Sequence, residues 1–576
     1  MPDFRVRALE IHSDYAWDFD WVKKALLFIH DHDMTALHLH RNDIVDRVTY
    51  PARYFGGARP AYRNIFERYQ DIHRALYKYT PTRRSGPYHR RDFLNRVVEL
   101  ASRWNIAVYL ENKELFFHDI FLELNPQLTK NGAVCPNEPF WWEFIRTKYT
   151  ELFEDIPGIA GIITAPATSE SRLSIYGNRC RCEICQASTP QRWFAQLLDA
   201  LYAPIHERGK TLVVRDFVFD RKTQSQLAEV MEKLPEDVVI ALKNTPHDYY
   251  PTFPDNPRIG SVGRHRQWIE FDSMGQYFGW GIGPSIMVED MRRRFGHARE
   301  QGAEGVLIRT DWESLDAHSA FHTPNLLNLY AGAALGKDMT TPAVAIYRQW
   351  LLEQGKIVEG ASAAEIDACA NWAQALLGRS WEAVRRALYT NGCVFSDSST
   401  FPVSAGHAWW LAEEKNSLRD WDPSKRHAMD PTEENVLGIL AEKDEALREV
   451  EEMQRVLASK PLALTPEADA DLKERFDIFH RYVRGFRAIG RATALAKFVA
   501  ADTAGTSAFA REARPMFDAA LDDLLAIAEE LRAFRQATDH RYTVYVLLGW
   551  ERLEALHGDL TRLVAQPAPL AAPTEG

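Results

Sequence analysis

Short apolar runs alternate with amphipathic stretches over the first 340 residues. The strand-like runs are Val6–His12, Thr35–His40, Ile106–Glu111, Gly158–Thr164, Thr211–Phe217, Val238–Lys243, Gln267–Phe271 and Gly305–Arg309. Between most of them lie helix-period segments: Trp21–Ile29, Arg91–Trp104, Phe140–Phe153, Gln191–Arg208, Thr223–Leu234 and Val288–Gln301. Short buried runs separated by helices predict parallel strands joined by crossover helices. Eight such units within about 340 residues predict an α/β fold, a (β/α)8 TIM barrel spanning residues 1–340.

The ends of the strands carry charge. They read Glu10-Ile-His12, His38-Leu-His40, Glu111-Asn-Lys113-Glu114, Ser169-Glu170, Arg215-Asp216, Lys243-Asn244, Glu270-Phe-Asp272 and Arg309-Thr-Asp311. No strand is followed by a Gly-rich phosphate fingerprint, which favours a barrel over an open doubly wound sheet. Barrel enzymes gather reactive groups at the C-terminal ends of their strands. Polar strand ends that merely meet water account for single cases, but poorly for several Lys, Arg and Glu within otherwise apolar runs. Residues 43–90 read as one long basic connection that includes Arg83-Arg84-Ser-Gly-Pro-Tyr-His89; such a loop either receives an anionic substrate or is a solvated turn.

From about residue 341 only helical periodicity remains, at Pro342–Gly355, Ala364–Leu377, Thr432–Ala458, Glu467–Val499, Pro515–Ala533 and His540–Leu563. This predicts an α-helical C-terminal domain over 341–565, docked on the barrel or mediating dimerisation, with an aromatic and polar loop near 392–430. Residues 566–576, QPAPLAAPTEG after Ala565, predict a flexible tail.

Composition narrows the function. Apolar residues make up 46% of the 576, enough to build a large core, so wholesale disorder is excluded. A formal net charge of −11 argues against a nucleic-acid partner. With no apolar run of about 18 residues, no membrane span is expected. The N-terminus lacks a cationic start followed by an apolar stretch, so a cytoplasmic location is the expectation. Six Cys in so long a chain do not form a disulfide scaffold.

Three carboxylates are candidates for proton-transfer chemistry. Glu170 follows the fourth strand among small residues. Asp248 follows the sixth strand, and Glu270 ends the seventh. In a barrel, Glu170 would face the other two across the mouth, and opposed carboxyl groups are what glycoside hydrolysis requires. Arg215 and Lys243 end the fifth and sixth strands. Each either pairs with a mouth carboxylate or holds a carboxylate on the substrate.

The block LVVRDFVFDRKT, VVIALKNTPHDYYPTFPDNPRIGSVGRHRQWIEFDSMGQYFGWG and GVLIRTDWE resembles the α-glucuronidases of glycoside hydrolase family 67. The resemblance covers residues 158–336. It rests on the order Arg215, then Lys243-Asn244-x-Pro-x-Asp248-aromatic, then Glu270-Phe-x-x-x-x-Gln-Tyr. It implies a barrel with a helical C-terminal domain, and an inverting, exo-acting hydrolase that removes a terminal uronic acid from an acidic oligosaccharide. By the same resemblance Glu170 matches the general acid, and Asp248 and Glu270 the pair that activates water. Arg215 and Lys243 match residues that contact the uronate. Asp311, Trp312 and Asn244 complete the expected substrate-binding set. No cofactor is required for catalysis in that family, and a homodimer through the helical domain is implied. Three departures stand out: the sequence starts at the first barrel strand without the family's N-terminal β-rich domain; Pro166 stands where the family has a Lys; and a Cys-rich segment follows the acid. They keep two alternatives open, a hydrolase for a different or neutral sugar on the same barrel and a non-catalytic carbohydrate-binding protein.

That segment contains Cys180, Cys182 and Cys185, enough to give three thiolates to a tetrahedral structural Zn²⁺, with Cys135 the first candidate for a fourth. The alternative is three reduced thiols in a loop. His12, His38 and His40 lie on the first two strands, and alternation places His38 and His40 together inside the barrel. A metal-dependent isomerase or lyase would use such residues, but no HxH plus His plus Asp series completes a ligand set. Hydrogen-bonded interior histidines or sugar contacts are expected. Trp409, Trp410 and Trp421, with Tyr249 and Tyr250, offer faces for a pyranose ring or for packing between domains.

Overall fold

The computed structural model describes residues 2–49, 51, 81–118, 121–122, 125–166, 168, 170–217, 221–315, 317–394, 399–413, 418–501 and 508–565. Eight parallel strands close into a barrel: β1 Val6–Ile11, β2 Ala36–His40, β3 Ala107–Glu111, β4 Gly161–Thr164, β5 Thr211–Arg215, β6 Val239–Lys243, β7 Gln267–Asp272 and β8 Gly305–Arg309. Each pairs with its neighbours in chain order, and β8 pairs with β1. Every predicted run is a strand. They are buried on both faces, which is why they read as near-continuous apolar segments.

Alternation sorts the inward-facing residues into layers. The lower layers are apolar. Ala8, Ala36, Ile163, Val213, Val239, Ala241, Trp268 and Leu307 form one buried cluster inside the barrel. Trp268 and Tyr109 fill most of that space, meeting edge to face with ring centroids 5.2 Å apart. Small residues make room for them. A Cβ on Gly305 would come within 2.7 Å of the Trp268 ring, and one on Gly161 within 2.9 Å of Tyr109 and 2.2 Å of the Thr211 carbonyl. The upper layers are charged. Register places Glu10 beside His38, His40 beside Glu111, and Lys243 beside Glu270.

The helices between strands follow the predicted segments closely, such as Phe19–Asp31, Phe140–Asp155 and Val288–Glu300. The sequence analysis missed the helix Leu326–Lys337 after β8, whose side chains are buried on nearly every side and so show no helical period. The basic run Arg83–His89 is not loop as expected but the start of the helix Pro81–Ser102, with Pro87 inside it. Polar residues without an apolar stripe gave no helical signal there. Residues 52–80 of that connection lie outside the described residues.

C-terminal to the barrel the structure is helical apart from one short hairpin, Tyr389–Thr390 with Cys393–Val394, among the described residues. The expected irregular segment at 392–430 contains the helix Ala405–Glu413, while residues 395–398, 414–417 and the tail 566–576 lie outside the described residues. These helices rest on the loop after β7. The Tyr389 hydroxyl donates to the Tyr277 carbonyl at 2.6 Å, and Ser399 Oγ to the Gln276 carbonyl at 2.7 Å. Gly283 lies so close to Phe479 that a Cβ would fall 2.4 Å from its ring. The helical part therefore buttresses one side of the barrel mouth.

Candidate active site

A cavity of about 330 Å³ opens at the C-terminal ends of the strands. That is near the small end of the range for small-molecule sites, roughly 300–1,000 Å³. Every strand or the loop after it contributes to the wall, from His12 and His40 round to Arg309 and Trp312, and Trp410 reaches in from the helical part. Trp410 is 44% exposed, whereas Trp409 beside it is buried against Lys497.

Beneath this cavity lies a continuous charged network. Arg215 is at its centre. Its Nε and Nη2 donate to the two carboxylate oxygens of Glu270 at 2.7 and 2.6 Å, and its Nη1 donates to Glu111 at 2.5 Å. Glu111 in turn lies 2.9 Å from His40 Nε2 and 3.0 Å from His38 Nε2. His40 Nδ1 is 2.7 Å from Glu10 Oε1. The His12 ring stacks on His40 with centroids 3.6 Å apart. Burial by itself would raise the pKa of Glu10 and of Glu111, but His38 beside the first and Arg215 beside the second outweigh it and hold both well below the usual range. Burial, followed by His40, pushes His12 well down, so its imidazole is neutral at ordinary pH.

Two roles were open for Arg215 and Lys243, and the structure gives both of them internal partners. Arg215 spends its fork on Glu270 and Glu111. Lys243 is ion-paired with Asp248 and lies over the Phe217 ring, 3.7 Å from its centroid. Both still line the cavity.

The three candidate carboxylates do not share one environment. Glu170 and Asp248 both line the cavity. Glu270 does not. It is 1% exposed, clamped by Arg215, and accepts from the Tyr249 hydroxyl at 2.9 Å. It points into the network and not at the cavity, because position 270 falls on the inward register of β7 one level below the loops. Of the expected pair, Asp248 lines the opening and Glu270 lies beneath it. Asp248 adopts φ 48°, an unusual left-handed conformation for a non-glycine residue. Burial tends to raise its pKa, but Lys243 and then His247 outweigh that and hold it at about 2.

Asp311 lies at the end of β8, beside the end of β1. It accepts from the His12 backbone N–H at 2.6 Å and from the Ser13 hydroxyl, so it ties the end of β8 to the end of β1 and does not line the cavity. Burial pushes it up to about 6. Asn244 also lies off the wall, its N–H donating to the Glu270 carbonyl at 3.1 Å. Trp312 does line it, with its ring 5.7 Å from that of Trp280.

Lys113, one of the charged strand ends, is a wall residue that no expected site role included. It is 1% exposed, lines the cavity and forms an ion pair with Glu170. Its position is fixed by the next residue: Glu114 is held by Lys148 at 2.8 Å, the Tyr149 hydroxyl at 2.5 Å and Asn112 at 2.7 Å. The cation thus comes from the end of β3, whereas Pro166 occupies the position before the acid where the resemblance places a Lys. Its one sequence signal was a Lys two residues beyond an apolar strand.

Ligand atoms of Glu10, His12 and His40, and of His38, His40 and Glu111, gather closely enough to be considered for a metal ion. The short His–carboxylate approaches, the stacked rings of His12 and His40, and the Arg215 cation on Glu111 suit a self-contained charge network better than a cation site. The other close cluster joins Cys135 to Cys180, Cys182 and Cys185, away from the cavity. No described helix is long and apolar enough to cross a membrane.

The depressed pKa of Asp248 has a measurable consequence. A folded-state value of about 2 lies below the unfolded one, so its ionisation stabilises the fold above the unfolded pKa, and that contribution fades as pH falls through the folded pKa. The stability gap between wild type and Asp248→Asn should be constant above about pH 5 and shrink on acidification towards pH 2. Urea unfolding at stepped pH measures it, and a gap that widens on acidification would contradict the Lys243 pairing.

No protein-family model and no curated protein matches the sequence. Among solved structures, the chain is similar to a GH138 enzyme targeting pectin rhamnogalacturonan II, with a TM-score of 0.59 and 12% identity over 92% of this chain. It spans 62% of that enzyme's length. Looser likenesses are to a chitobiase from Flavobacterium johnsoniae (TM-score 0.39, 12% identity, 96% of this chain and 78% of that one) and to an O-GlcNAc hydrolase from Thermobaculum terrenum (TM-score 0.39, 10% identity, 98% and 94%). The last two are too loose to carry an argument. The first shows that the barrel with its helical companion is a known fold.

Proposed function

We propose that the protein is a glycoside hydrolase, exo-acting and inverting, which removes a terminal uronic acid from an oligosaccharide in the manner of an α-glucuronidase. The observation that carries this reading is a single small cavity into which two lysine-held carboxylates, Glu170 and Asp248, project from different strands. The fold likeness to an enzyme described as acting on a pectin component, and the family resemblance in the sequence, support it.

In this reading Asp248, ionised at all ordinary pH, is the base that takes a proton from water. Glu170 protonates the leaving oxygen. Lys113 is ion-paired with Glu170 and lines the same cavity, so an entering uronate meets that ammonium beside the acid. Lys113, Arg215, Lys243 and Arg309 all face the cavity and give a negative field-seeking group several partners. Trp312 and Trp410 offer aromatic faces to the ring. The buried network under the cavity holds these groups still.

The test is a panel of aryl glycosides and uronic-acid oligosaccharides, with NMR following the first-formed anomer. Release of a uronic acid of inverted configuration is expected. A retained anomer rejects the mechanism, turnover of neutral sugars alone replaces the substrate, and saturable binding without turnover across the panel makes the protein a carbohydrate-binding module.

A further inference from the structure

The geometry points to a structural Zn²⁺ held by the four thiolates of Cys135, Cys180, Cys182 and Cys185, clipping together two loops on the Glu170 side of the barrel mouth. Their sulfurs all lie within 4.8 Å of one another. Cys135 Sγ is 3.4 Å from Cys185 Sγ and 3.6 Å from Cys182 Sγ. A tetrahedron with Zn–S bonds of about 2.3 Å has sulfur–sulfur edges of roughly 3.8 Å. These separations are too long for disulfides of about 2.05 Å, and all four cysteines are free. As a set of four they are also too tight for an iron–sulfur cluster, whose four thiolates are spread over two or more irons. The four sulfurs surround one point, which suits a single ion.

The loops that carry the sulfurs are tied down by hydrogen bonds. The Asn137 side-chain amide donates to Cys185 Sγ at 3.4 Å, and its carbonyl oxygen accepts from Ser188 at 2.7 Å. Such second partners orient metal ligands. Cys135 follows the hairpin Thr129–Lys130 with Ala133–Val134, and its loop is pinned by two indoles: Trp141 donates to the Cys135 carbonyl at 2.8 Å and Trp193 to that of Pro136 at 2.9 Å. Binding needs no redox step: four thiols pass their protons to solvent and four Zn–S bonds form. With no open coordination position, the ion is structural and takes no substrate.

What the ion secures is the connection between β3 and β4 to the loop after β4. Glu170 stands ten residues before Cys180 on that second loop, which has little regular structure of its own beyond the short helix Glu183–Gln186.

The experiment uses the full chain, untagged, expressed with zinc and dialysed free of loose metal. Elemental analysis should find about one zinc per chain, all four ligands being thiolate. The double variant Cys182→Ser/Cys185→Ser should retain almost none, while Cys369→Ser/Cys393→Ser should retain it all. Because the first variant can misfold, the wild type is also stripped with a mercurial and refilled with Co²⁺. The intense visible bands of a tetrahedral cobalt tetrathiolate are expected. Wild-type protein without stoichiometric metal, iron in place of zinc, disulfides in the intact mass, or a weak octahedral cobalt spectrum would each overturn the assignment.

Discussion

Under the proposed function, Glu170→Gln should lower turnover about 10²- to 10⁴-fold on substrates with poor leaving groups, the range that general acid catalysis contributes. The amide keeps the size of the carboxyl and its place in the cavity but has no proton to give. Aryl substrates whose leaving group departs without protonation should lose far less, which separates a missing acid from a distorted site. Glu170 is 28% exposed in its side chain, so its replacement leaves the barrel standing. Lys113 loses its partner, and circular dichroism with thermal unfolding verifies that the fold survives. Near-normal rates on every substrate would remove Glu170 from the chemistry and require another proton donor for the leaving group.

Arg215→Met destabilises the fold by about 3–5 kcal/mol, the usual consequence of breaking a buried ion pair from one side. Arg215 is 3% exposed, and its loss strands two carboxylates, Glu111 and Glu270, that are 0% and 1% exposed. Neither has access to water to make up for the missing cation. Arg215→Lys recovers only part, because one ammonium cannot form the fork on Glu270 and reach Glu111 as well. The triple variant Arg215→Met/Glu111→Gln/Glu270→Gln should lie between the two, since it removes the charges that the single variant leaves unpaired. Urea midpoints with unchanged slope report these differences. A loss below about 1 kcal/mol, as for an exposed pair, would mean that water reaches the network.

These two expectations concern residues that the sequence marked with different clarity. Arg215 and Glu270 were visible as charges ending apolar strands. Nothing in the linear order said that they bind each other, since 55 positions separate them. Parallel register and barrel closure bring them together. The same applies to Lys113 and Glu170, 57 positions apart. Sequence alternation placed His38 and His40 on one inner face, yet their partners Glu10 and Glu111 come from the strands on either side. The helix Leu326–Lys337 was illegible because burial on nearly every side erases its period. The partners of Asp311 were illegible because a strand-end position in a barrel allows a side chain to face either the cavity or the next loop.

By itself the sequence determined the barrel, its strand boundaries and the helical region that follows, because burial of strands between a core and surrounding helices writes a local pattern of apolar runs. It also placed charge at the strand ends. Only the tertiary structure decided which charges face the cavity and which are spent on each other. That choice set Glu270 against Arg215 and Asp311 against the end of β1, brought Lys113 to Glu170, and carried Cys135 to the three clustered cysteines. Pairing energy depends on distances of a few ångströms, and those are set by closure of the barrel, which no local stretch of chain encodes.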